Sequence, residues 1–322
     1  MPCNLANVGQ SAAMSEPPSA PENVPLIAGV ELGGTKCVCI LAAGPDAIEE
    51  EVRVPTTTPA ETLAAIEAVL DRWTGFGGIG VASFGPAGVD RAGSDWGQIT
   101  VTTKPNWSHT NIGRRWERRY GVPVGFHTDV VGAALAEARW GAATGLADIA
   151  YVTVGTGVGI GLIAGGKPVD GLTHQELGHI RPVRAAGDDW IGVCPFHGAC
   201  LEGLASGPAI AARAGRPAEE LAADDPAWEP VVHALGQLLH ALVLTGVPRR
   251  VVMGGGVTTG ASHLLPRIRA AMTKSLSGYS MLPEVAQADS YVVPAALGGR
   301  AGPLGAILLG QQACIDRGHC EE

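Results

Sequence analysis

Three apolar runs in this chain end in glycine turns, and they restrict its fold more than any other feature. LIAGVELGG (26–34) leads into Gly33-Gly34-Thr35-Lys36, the run 149–166 folds about Gly155-Thr156-Gly157, and RRVVMGGGV (249–257) contains Gly254-Gly255-Gly256. Short apolar runs bounded by glycine read as buried strands. Glycine lets backbone N–H groups approach phosphate oxygens with no Cβ in the way, and Thr35 and Thr156 add hydroxyl donors. Taken singly, each reads first as a tight turn; three, spread over two similar halves, point to a phosphate cradle. Two common alternatives fail on spacing. A P-loop needs GxxxxGK[ST], but Lys36 lacks the upstream glycine and is followed by Cys37. The alternating Gly155, Gly157, Gly159 and Gly161 do not form GxGxxG, so a dinucleotide fold is disfavoured.

The remaining pattern is mixed α/β. Thr58, Pro59 and Glu61 form a helix start before Leu63, Ile66, Leu70 and Trp73. Residues 78–89 read as a buried strand interrupted by Gly85-Pro86. A helix near 112–120 precedes the strand VPVGFHTD, and Val130–Gly141 is an Ala-rich helix. Leu204–Ala214 and Pro230–Thr245 read as further helices. The expected organisation is a tail over 1–24, an N-terminal lobe over 25–127, a C-terminal lobe over 128–296, and a cleft between the lobes. A closing helix over 297–313 is expected to return to the N-terminal lobe, before a tail over 314–322.

Composition excludes several classes. The net charge is −9, and the cations are 18 Arg and 4 Lys without a basic stripe, so no nucleic-acid partner is expected. No apolar run is long enough for a membrane span, and no targeting segment is evident. Seven cysteines, an odd number, do not suggest a disulfide framework. A cytoplasmic protein is expected.

Two clusters carry chemistry. Asp129 stands between a strand and a helix, where its carboxylate could accept a proton from a substrate hydroxyl; a helix N-cap fits the spacing equally well. His179, Cys194, His197 and Cys200 follow H-x14-C-x2-H-x2-C, a complete tetrahedral donor set for structural Zn²⁺. The plainer reading of that set is coincidence or a disulfide.

These motifs resemble the sugar-kinase and actin superfamily, and within it the ROK family, its fructokinases most closely. The resemblance runs from about Leu26 to Ala313. It implies a two-lobed ribonuclease H-like (actin-like ATPase) duplication, with ATP between the lobes. GVELGGTK (Gly33, Gly34, Thr35, Lys36) would be the first phosphate turn and TVGTGVGIG (Gly155, Thr156, Gly157) the second, with Gly254, Gly255 and Gly256 at the adenosine. Lys36 is equally a solvated lysine on its own chemistry. The family likeness favours Asp129 as general base. Mg²⁺ would bridge the phosphate oxygens, with Glu31 holding its waters.

In the Glu176-Leu177-Gly178-His179 motif, Glu176 and His179 would contact sugar hydroxyls, and His179 would also hold zinc. Thr128, Gly85, Pro86, Lys104 and Trp107 are further sugar-contact candidates, and Glu202 would touch sugar or support the loop. Trp107 reads equally as core, and His174 reads either as a further neighbour of the sugar or as a surface histidine. The implied activity is ATP-dependent phosphorylation of a hexose at the 6-hydroxyl, foremost D-fructose, by a homodimer. Glucose, mannose or an N-acylhexosamine stays open as substrate, and a non-catalytic sugar-binding regulator is the rival from another class.

Overall fold

The computed structural model describes residues 25–279 and 282–318. The tail expected over 1–24, and residues 319–322 of the other, lie outside them.

Two five-stranded sheets are built to one plan. The first comprises β1 (Ile27–Leu32), β2 (Lys36–Gly44), β3 (Ala47–Pro55), β4 (Gly78–Ser83) and, after a two-stranded ribbon of β5 (Gln98–Ile99) and β6 (Thr110–Asn111), β7 (Val124–Thr128). Its order is β3-β2-β1-β4-β7. The second comprises β8 (Ile149–Val154), β9 (Val158–Ala164), β10 (Lys167–Pro168), β11 (Arg250–Gly254) and β12 (Val292–Pro294), in the order β10-β9-β8-β11-β12. In each, three consecutive antiparallel strands are extended by two parallel ones. This is the duplicated two-lobed architecture the glycine turns led us to expect. The parallel strands are buried on both faces and so read as apolar runs. Strand β3 (AIEEEVRVP) is an edge, and its acidic residues escape a search for apolar alternation; charge there guards an open edge.

Helices layer around the sheets. On the outer face of the first lie α1 (Pro59–Leu70) and α2 (Gly113–Tyr120). Thr58 and Glu61 form the expected capping box on α1. Between the sheets run α3 (Asp129–Trp140) and α11 (Ala301–Asp316). The outer face of the second is covered by α4 (Leu201–Ala205), α5 (Gly207–Ala214), α6 (Trp228–Thr245), α7 (Gly256–Gly260) and α8 (Leu264–Leu276), with short α9 (Pro283–Ala286) and α10 (Ala288–Tyr291) beside β12. The single helix expected over Leu204–Ala214 is two, because Ser206 turns extended and its hydroxyl caps Ala209 N–H at 3.3 Å.

Helix α11 lies directly on the first sheet. A Cβ on Gly80 or Gly125 would collide with the carbonyls of Ala306 and Leu309, so these strand glycines set the contact distance. Leu304 and Ile307 are fully buried there, each contributing roughly 1.5–3 kcal/mol. The helix expected over 297–313 starts at Ala301, after a 3₁₀ turn Gly298–Arg300, and runs to Asp316 because buried Cys314 still faces the sheet at Gly78. No helix among the described residues is long and apolar enough to cross a membrane.

Candidate functional site

The parallel strands of both sheets end at one cavity of about 390 Å³. Glu31 enters it from β1, Asp129 from the start of α3, Tyr151 and Thr153 from β8, and Gly254, Gly255 and Gly256 from the turn after β11; Gly298, Gly299 and Gly302 close it. Gly255 has φ 93°, and a side chain there would run into Val154, so only glycine suits this turn.

Asp129 is the first residue of α3, one step beyond the N-cap Thr128. Its Oδ1 accepts Val130 N–H at 2.8 Å. Burial pushes its carboxyl up to about 6, helped by the Glu176 charge, while the two N–H groups of the helix start pull the other way. Glu31 is pushed up to about 7 by burial and then by Asp129, with the Lys36 ammonium opposing. Two carboxylates thus share one low-dielectric wall, an arrangement that a bound cation would relieve.

The first glycine turn is held from behind: Thr56 donates its hydroxyl to Gly33 O (2.8 Å) and its N–H to Thr35 O (3.0 Å). Gly34, Thr35 and Lys36 stay exposed. In the second turn Gly155 N–H bonds Gly157 O (2.9 Å), and Gly155 abuts the backbone of Gly256, so the second and third turns adjoin. Thr156 is exposed between them.

Asp129 also has Glu176 on a second side. Glu176 Oε1 is 3.7 Å from His174 Nε2 and lies against Gly85 of the cis Gly85-Pro86 bond. His174 is buried, contrary to the surface reading, because its Nε2 accepts Ala87 N–H at 3.0 Å. Thr128 is buried.

Three further sugar-contact candidates have protein partners of their own. Trp107 is fully buried; its indole N–H donates to Thr57 O at 2.9 Å and its ring meets Phe84 edge-on, which makes it core. The Lys104 ammonium donates to the carbonyl of Gly34, at the first glycine turn. Glu202 accepts Val158 N–H at 3.2 Å and lies against Gly157, under the second turn.

His179, Cys194, His197 and Cys200 converge, with their donor atoms all within 4.8 Å of one another. His179 Nδ1 is 3.7 Å from Cys194 Sγ and 3.5 Å from Cys200 Sγ, and His197 Nδ1 is 3.8 Å from Cys194 Sγ. Tetrahedral zinc with ordinary Zn–S and Zn–N lengths needs about 3.6 Å between such atoms, so the donor set fits. Cys194 and Cys200 carry no disulfide. Cys200 caps α4, which carries Glu202 to the second turn. The Cys/His cluster and that turn are therefore joined by a single helical turn.

Sequence reading missed Tyr151 and the Gly298-Gly299 floor. The glycine pair in LGGRAGP could have signalled the latter.

A model of the ROK family matches residues 27–313. The chain is 38% identical over 288 residues to a fructokinase from Pediococcus pentosaceus, covering 89% of this chain and 98% of that one. It is 40% identical over 288 residues to a fructokinase from Zymomonas mobilis, covering 87% and 94%. The crystal structure of a ROK family glucokinase from Streptomyces griseus in complex with glucose and AMPPNP superposes with a TM-score of 0.71 at 28% identity, over 89% of this chain and 99% of that one.

Proposed function

Because the chain belongs to the ROK family, we propose that it is an ATP-dependent fructokinase, transferring the γ-phosphoryl group of ATP to the 6-hydroxyl of D-fructose. Relatives named fructokinase at 38% and 40% identity span nearly the whole folded chain and support the substrate. The observation that carries the chemistry is the Asp129 carboxylate, standing between the cavity lined by Gly254–Gly256 and the Glu176 group.

Asp129 accepts the proton of the 6-hydroxyl and aims its oxygen at the γ-phosphorus. Raised to about 6, it is ionised at neutral pH yet basic enough to take that proton. The C6 oxygen bonds to phosphorus as the bridging bond to ADP breaks. Backbone N–H groups at Gly33–Thr35 and, in the turn closed by Gly155, at Thr156 and Gly157 meet the developing charge, with Lys36 beside them. Gly254, Gly255 and Gly256, with Gly298 and Gly299, take the adenosine side. Glu176 and His179 bind hexose hydroxyls against Gly85 and Pro86, above Thr128.

Mg²⁺, when bound, neutralises charge on the phosphate oxygens, and Glu31 would hold its waters. Structural Zn²⁺ would be held by His179, Cys194, His197 and Cys200, closing all four positions and fixing the His179 tautomer. Our reading further places the enzyme in the cytoplasm as a homodimer, as the family likeness implies.

The test is ADP release with a panel of hexoses at saturating Mg·ATP. Fructose is expected to give the highest kcat/KM. Release no faster than without sugar overturns the assignment; glucose or mannose ahead of fructose replaces the substrate and keeps the chemistry.

A further inference from the structure

We propose that His127 is a positioning residue for Asp129, held in a single orientation by Asp170; this rests on the reading of Asp129 as general base. His127 lies on β7, two residues before Asp129, and is 5% exposed. Its Nδ1 accepts the backbone N–H of Thr128 at 2.8 Å. A ring nitrogen that accepts an N–H carries no proton, so the neutral ring has its proton on Nε2. Nε2 faces both carboxylate oxygens of Asp170, at 3.0 and 3.1 Å, and donates to them.

Thr128 is the residue this arrangement fixes. It is the N-cap of α3, extended at φ −69° and ψ 152°, and its own hydroxyl makes no capping bond to the helix. The direction in which Asp129 leaves the sheet thus depends on the Thr128 peptide, which the imidazole holds.

Asp170 comes from the second lobe, just after β10. Its segment is anchored to the first lobe twice more, by the Thr173 hydroxyl on Ala87 O (3.4 Å) and by His174 on Ala87 N–H (3.0 Å), before it reaches Glu176. One strap therefore orients the base and carries the carboxylate that meets the hexose. Loosening it at His127 moves the attacking geometry more than the binding of either substrate.

Steady-state kinetics on His127 and Asp170 variants, with fructose and Mg·ATP, test this. His127→Ala should lower kcat roughly ten- to hundredfold with both KM values within about threefold. His127→Asn, whose carbonyl oxygen replaces Nδ1 as acceptor, should recover most of the rate, whereas His127→Gln, which replaces Nε2, should not. Asp170→Ala should reproduce the loss and add nothing in the His127→Ala background.

A kcat within about twofold of the parent in His127→Ala or Asp170→Ala, a loss confined to KM, or Asn rescuing no better than Gln overturns the proposal. Asp170 is half-exposed, so Asp170→Ala decides the matter even if His127→Ala fails to fold, with melting temperature as the check. Asp129→Asn is run alongside. If it stays active, the base assignment itself falls; if it is dead while His127→Ala is fully active, only the present inference falls.

Discussion

The carboxylate of Glu137 accepts the backbone N–H of Leu297 at 2.9 Å, tying the far end of the helix that begins at Asp129 to the loop flooring the cavity. Its other oxygen accepts Ala142 N–H (2.7 Å) and Ala296 N–H (3.2 Å), and the side chain is fully buried. Glu137→Gln keeps the volume but turns an amide donor toward these N–H groups. The expected cost is roughly 2–4 kcal/mol, read as a lower Tm. KM for ATP should rise severalfold while KM for fructose holds, because the loop concerned leads into Gly298 and Gly299.

The pH–rate profile should carry an acid limb. Asp129 must be ionised to take a proton, and its carboxyl is raised to about 6 by burial and by Glu176. Below about pH 6, kcat/KM for fructose should fall with a slope approaching one, and Asp129→Asn should lose about 100-fold or more in kcat while still binding ATP. Turnover within about tenfold of the parent would refute the role.

The same carboxylate should weaken the fold at neutral pH. With a folded-state pKa of about 6 against an ordinary 3.8, the native protein holds the proton more tightly than the unfolded chain does. That contribution is fully present below about pH 4 and is lost as pH rises through 6. At about pH 8, Asp129→Asn should therefore melt about 2–5 °C above the parent, and the gain should shrink toward pH 4.

Purified protein should contain one zinc atom per chain, measured by elemental analysis. Cys200→Ser should lose the metal and lower Tm. It should also raise KM for fructose more than KM for ATP, since His179 lies in both the Cys/His cluster and the Glu176 motif.

Trp107→Phe separates core from substrate contact. Loss of the indole bond to Thr57 O and of ring volume should cost about 1–3 kcal/mol of stability. KM for fructose should stay unchanged; a tenfold rise would return Trp107 to the sugar pocket.

Much of this was legible in the chain because it was written in local terms. The strands entering glycine turns, the Thr58–Glu61 cap and the Cys/His spacing all depend on neighbours within about twenty residues. Long-range contacts were not legible. Glu202 follows Cys200 in sequence but reaches across to Val158, and Lys104 reaches Gly34, 70 positions away. The His127–Asp170 pair joins residues 43 apart, one on β7 and the other just after β10, and no local spacing links them. Strand β3 was hidden by its acidic residues, and α8, a half-buried helix of 13 residues, had no cap to mark its start.

The contact between α11 and the glycines of β4 and β7 bears on how the chain is made. Residues of the first sheet leave the ribosome more than 150 positions ahead of the helix that covers them. Until Ala301–Asp316 emerges, much of that sheet's apolar face stays uncovered, so the first lobe cannot finish folding before that helix is available. A segment translated late is the lid on the first one built, and nascent chains stalled before it should depend on chaperones.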